Sequence, residues 1–191
     1  MPAGIKQSEY ADLLRADLGA TDARLLAAAG TLGERALGWP PSGGGWTVGQ
    51  ILEHLIIAAD SYLTPMRRLI EEALTETAAG TDPIWRPSLL GGFLAGSLRA
   101  PRKLLAPRSY VPALTARPGV FEEFRTRQRQ AAMLLERARP LEWTRIRMAS
   151  PISRLIRLNL GDGFTIVVTH ARRHLGQIER IRAQPGFPAI A

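Results

Sequence analysis

Val167-Val168-Thr169-His170-Ala171-Arg172-Arg173-His174-Leu175-Gly176-Gln177-Ile178 is the stretch that decides how this chain reads. His170 and His174 are four residues apart, so on a helix their rings share one face, with Cβ atoms roughly 6 Å apart. Val167, Ala171, Ile178 and Ile181 lie on that same face. The histidines therefore sit on the seam that a helix turns inward. A buried imidazole needs a hydrogen-bond partner or a metal for its ring nitrogens. His54 is the only other histidine, and it too stands among apolar neighbours: Ile51, Leu55 and Ala58. Two imidazoles at this spacing can converge on one zinc ion with bonds of about 2.0–2.1 Å, and a third completes a three-ligand site with an open position. The alternative is three core histidines, each satisfied separately. Gln50, one turn before His54, and Gln177, three residues after His174, could reach the rings as hydrogen-bond partners or as a weak ligand. Glu53 is adjacent to His54 and should point elsewhere. No His-Glu-x-x-His arrangement is present, so the general base of that zinc protease class has no counterpart.

Working outward, the stretch belongs to one of four segments with helical periodicity. The first runs from about Ser8 to Gly30, with Tyr10, Leu13, Leu14, Leu18, Leu25 and Leu26 as its apolar stripe. The second opens at Thr47, an N-cap with Gln50 at the capping-box spacing. Trp46 and Ile51 stand at the positions of a hydrophobic staple. It continues to about Leu74, with Pro65 a point where it could kink or end. The third spans about Val120 to Arg139, between Pro118 and Pro140. The fourth starts near Asp162 as N-cap and reaches about Arg182. Met148 to Leu160 shows weak alternation and could be extended.

Between the second and third helices lies a proline-rich connection at about 80–118, in which Leu89 to Leu98 can form one short helix. A connection this long allows its flanking helices to run parallel, because only short loops force antiparallel neighbours. The expected fold class is therefore all-α, with residues 1–191 as a single domain.

Composition narrows the function. The chain has 191 residues, 46% of them hydrophobic, which suits one globular core. No run of roughly 20 apolar residues is present, so no membrane crossing is expected. Met1 to Tyr10 carries Lys6 and Glu9 and does not read as a secretory signal. A cytoplasmic location is the expectation. There is no cysteine, which excludes disulfides, thiolate ligands and a cysteine nucleophile from this chain. Any thiol chemistry must use a thiol brought from outside. The net charge is +8, but the arginines are scattered and form no concentrated stripe, so a nucleic-acid partner is not expected.

Trp46-Thr47-Val48-Gly49-Gln50-Ile51-Leu52-Glu53-His54-Leu55 resembles the second-helix signature of the DinB-like (YfiT-like) superfamily, and His170 to Ile178 resembles its last-helix signature. The resemblance implies a four-helix bundle with a long crossover connection between helices two and three. It implies zinc or nickel on His54, His170 and His174. It also implies a metal-dependent enzyme that transfers a low-molecular-weight thiol, such as bacillithiol or mycothiol, to a small electrophilic substrate. Such thiols carry carboxylates, which need cationic partners. Arg173 could border the mouth of the site, and Arg99, Arg102 and Lys103 on the connection could close over it. The alternative for these four is solvated surface charge. A metal-dependent hydrolase and a non-enzymatic, metal-stabilised ligand-binding bundle are the competing functions. Relatives are often dimeric, so a homodimer is expected, with Leu89–Leu98 either its contact or a lid on its own chain.

Overall fold

The computed structural model describes residues 4–76, 82–100, 105–113 and 117–188. Four long helices dominate it: α1 (Gln7–Ala29), α3 (Val48–Glu76), α5 (Val120–Ala138) and α6 (Leu160–Arg182). Two shorter ones, α2 (Glu34–Leu37) and α4 (Leu89–Arg99), lie in the connections. Two small antiparallel sheets accompany them: β1 (Ile5–Lys6) with β2 (Ile84–Trp85), and β3 (Arg147–Ser150) with β4 (Ser153–Asn159). The mostly helical architecture fits the all-α expectation and adds two short ribbons, the second of which falls where the alternation in 148–160 pointed.

Ion pairs and core contacts give the helix directions. Asp60 with Arg127 and Glu71 with Arg137 make α3 and α5 parallel. Asp17 with Arg172 and Arg24 with Glu179 make α1 and α6 parallel. Asp22 with Arg125 and Asp12 with Arg139 set α1 antiparallel to α5. His54 faces His170 while Met66 abuts Gly163, so α3 and α6 are antiparallel. The parallel pair is the one that the long connection permits.

α3 begins as its capping chemistry dictates. Gln50 Oε1 accepts from the Thr47 backbone N–H at 3.0 Å, while Thr47 Oγ1 accepts from the Gln50 N–H at 3.2 Å. The helix runs unbroken through Pro65.

The start of α6 corrects the expected cap. Asn159, not Asp162, is the N-cap, because β4 delivers Asn159 directly to the helix and Asp162 falls at the third helical position. Asp162 Nα–H donates to Asn159 Oδ1, and Asp162 Oδ2 accepts from the Asn159 backbone, both at 2.9 Å. This box also holds the long connection. Ser88 N donates to Asp162 Oδ1, the Trp85 indole donates to Asn159 Oδ1, and Asn159 Nδ2 donates to the Arg86 carbonyl. α4 then packs on α6 through buried Gly91 and Ala95, leaving Leu89, Leu90 and Phe93 exposed. The segment is therefore packed on its own chain on one face and open on the other.

The core forms two clusters. One gathers Leu63, Met66, Ile70, Leu135, Trp143, Leu158 and Phe164, and the other Leu25, Ile51, Leu52, Phe124, Leu175 and Ile178. Along α6 the first cluster ends at Val168 and the second begins at Ala171, so His170 stands at the seam between them.

A Cβ at Gly91 would be driven into the buried carboxylate of Asp162. Gly91→Ala should therefore destabilise the protein by about 1–3 kcal/mol, the usual cost of overpacking. Gly19 is an exposed residue inside α1 with open space around it. Gly19→Ala should stabilise by roughly 0.4–1 kcal/mol. Urea unfolding of the two variants beside wild type checks the opposite signs.

Candidate metal centre

Antiparallel packing of α3 on α6 brings His54 opposite His170, and the helical repeat adds His174 one turn on. The three ring centroids lie 4.7–4.9 Å apart. One nitrogen from each ring falls within 4.8 Å of the other two. His54 and His174 are buried and His170 is partly so.

Hydrogen bonds fix which nitrogen faces inward. His54 Nδ1 is 2.7 Å from the carbonyl oxygen of Tyr110. A carbonyl only accepts, so Nδ1 carries the proton and Nε2 of the neutral ring presents a lone pair. His174 Nδ1 lies 3.0 Å from Gln177 Oε1, which sets the same tautomer. His54 Nε2 and His170 Nε2 are 3.1 Å apart. Two nitrogens bound tetrahedrally at 2.0–2.1 Å are about 3.3 Å apart, so this spacing suits two ligands of one ion. The residues present fit a divalent metal: three imidazoles each bring one ring nitrogen into the group, with no thiol or carboxylate in it.

Electrostatics act in the same direction. Burial lowers the pKa of all three rings. His174 is brought down to about 3, first by burial and then by His54 and Arg173, with the Gln177 bond opposing. His170 is held well below the ordinary histidine range by burial, then by His174, His54 and Arg173. Neutral imidazole is the form that binds metal.

Two neighbours complete the surroundings. The Trp46 ring centroid is 4.7 Å from that of His54 and 6.5 Å from that of His174. Tyr110 belongs to a single 3-10 turn, Arg108–Tyr110, and its hydroxyl bonds Ser61 Oγ at 2.8 Å, which anchors the turn to α3.

The remaining expected residues separate. Gln177 reaches a ring. Gln50 Oε1 caps α3 and its Nε2 donates to the Ala113 carbonyl, so it ties the connection to the helix start. Glu53 points away, toward Arg117, as its place in sequence requires. Arg173 is close enough to depress two histidines, but its Nη1 donates to the carbonyls of Leu98 and Ala100 at the end of α4. That is a helix C-terminus interaction. Arg99 is exposed at the end of α4, and its charge lies near the Tyr10 hydroxyl of α1. Arg102 and Lys103 lie outside the described residues. Tyr110 was not anticipated. Its contribution is a backbone carbonyl, which any residue type can supply, so no side-chain pattern marks it. Trp46 was expected only as a staple; its place eight residues before His54 on the entry to α3 was the available signal.

The sequence model of the DinB superfamily matches residues 17–178, and the chain belongs to that superfamily. No curated protein and no solved structure matches it.

The lowered histidines make a stability prediction for the metal-free protein. The unfolded rings take up protons below about pH 6.5, while the folded ones resist. Their contribution is fully present above that pH and is lost as the medium becomes more acidic. The melting temperature of metal-free protein should fall between pH 7 and 5.5, above the ordinary carboxylate range. His174→Leu should make that fall shallower. Calorimetry across the window reads both, and a flat wild-type profile counts against buried neutral rings.

Proposed function

We propose that this chain is a metal-dependent enzyme in which His54, His170 and His174 bind one zinc or nickel ion. The observation that carries the reading is the convergence of the rings, two of them with Nδ1 tied outward to Tyr110 and Gln177. The four long helices are taken as one four-helix bundle, with the connection between α3 and α5 as its crossover, and residues 1–191 as one cytoplasmic domain.

The proposed reaction is transfer of a low-molecular-weight thiol to an electrophilic carbon of a small substrate. A divalent ion with an open position lowers the pKa of a coordinating thiol and keeps it ionised at neutral pH. Membership of the superfamily supports this, as does the lack of any cysteine, which leaves the nucleophilic sulfur to an external cofactor. The protein's part is to hold the ligand rings neutral and aimed, and to border the site with the apolar face of Trp46. No carboxylate joins the histidine group among the described residues, so a hydrolytic role has no positioned general base to recommend it. We further propose a homodimer, formed through the outer face of α4.

Elemental analysis should find about one divalent ion per chain, and His170→Ala or His174→Ala should abolish it. Full occupancy in both variants would sink the ligand assignment. Cobalt-substituted protein titrated with bacillithiol, mycothiol or a simple analogue should develop a sulfur-to-metal charge-transfer band that His54→Ala removes. Absence of a band with every thiol at millimolar concentration counts against thiol transfer. Light scattering should return twice the chain mass of 20.9 kDa; the monomer mass alone overturns the dimer.

A further inference from the structure

Two of the three rings have a hydrogen-bond acceptor on Nδ1 within the protein, Tyr110 for His54 and Gln177 for His174. For His170 the described bond is the one through Nε2 toward His54. A ligating imidazole needs an acceptor for its other N–H, which fixes the tautomer and raises the basicity of the ligand nitrogen.

A small cavity lies beside His170 between α3, α5 and α6. His170 is part of its wall and His54 and His174 are not, so among the three rings the cavity adjoins His170 alone. Most of its lining is apolar: Leu55, Ala58, Phe124, Ile166 and Val167 among others. The exceptions are Tyr62 and Gln128. Gln128 is 5% exposed, and its Nε2 is a buried amide donor with no hydrogen-bond partner. Buried donors are almost always paired in folded proteins, with protein atoms or with ordered water. The cavity volume is about 20 Å³, enough for one water molecule.

We propose that Gln128 is the positioning residue for His170 and acts through one buried water in this cavity. The water oxygen accepts from Gln128 Nε2–H and from His170 Nδ1–H. Both of its lone pairs are then used, and its protons are left to face the cavity wall. Gln128 thereby completes for the third ring what Tyr110 and Gln177 do for the other two. An amide donor on α5 is otherwise costly in this place, because α5 contributes mainly Phe124, Ala131, Leu134 and Leu135 to the core.

The inference rests on the histidines being metal ligands, and the test separates the two ideas. Wild type and Gln128→Met are compared for cobalt affinity by chelator competition and for metal-free melting temperature. Methionine fills similar volume without a donor. Cobalt affinity should fall 10–100-fold, the usual loss when the outer partner of a ligand histidine is removed. The metal-free melting temperature should stay the same or rise, because an unpaired buried donor has gone. Equal cobalt affinity in the two proteins overturns the role of Gln128 while leaving the metal site standing. A wild type that takes up no cobalt removes both ideas. Should Gln128→Met fail to fold, a crystal structure of metal-loaded wild type decides. Density for a water within hydrogen-bond distance of both Gln128 Nε2 and His170 Nδ1 supports the proposal, and an empty cavity overturns it.

Discussion

A neutral imidazole has one nitrogen that gives a proton and one that offers a lone pair, and everything at this centre depends on which is which. The bond from His54 Nδ1 to the Tyr110 carbonyl settles the matter for α3. Without it, the ring could turn its N–H inward, and the convergence with His170 would become an ordinary hydrogen bond between two side chains. The carbonyl can stand there only because the chain between α3 and α5 passes over the histidine end of the helices. That path is in turn dictated by α3 and α5 being parallel. A 29-residue helix is about 43 Å long, so the chain must travel back along it before α5 can begin.

The arginine excess has a structural use that composition alone does not suggest. Arg24, Arg125, Arg127, Arg139 and Arg172 each meet a carboxylate on a different helix. Arg125 and Arg127 present two nitrogens each to the two oxygens of Asp22 and Asp60. Exposed pairs contribute little stability, typically about 0–1 kcal/mol. Their effect here is on register: each bidentate pair fixes the height of one helix against another. The height of α3 against α6 decides whether His54 meets His170.

The helices were legible because their apolar stripes are long and their stops are proline and glycine. The histidine pair was legible because its spacing and its apolar neighbours lie within one helix. What escaped is contact between segments distant in sequence. Asp162 looks like a cap because it stands between two glycines, yet Asn159 wins the position since β4 ends on it. Gln50 has the spacing to approach His54, and its amide also serves the N–H at the start of α3 and the carbonyl of Ala113. Arg173 follows the same logic, since the open carbonyls that end α4 are a strong attraction for a guanidinium. In each case a backbone group, invisible in a string of side chains, is a partner of the side chain.

The carbonyl of Tyr110 also makes the connection and the histidines thermodynamically inseparable. Whatever favours the ordered path of the connection must favour the ligand-ready form of His54, and occupancy of the histidines must favour that path by the same free energy. Natural variation in the loop sequence is thus a means of adjusting how tightly the centre would hold an ion. Selection could tune affinity there without altering a single histidine.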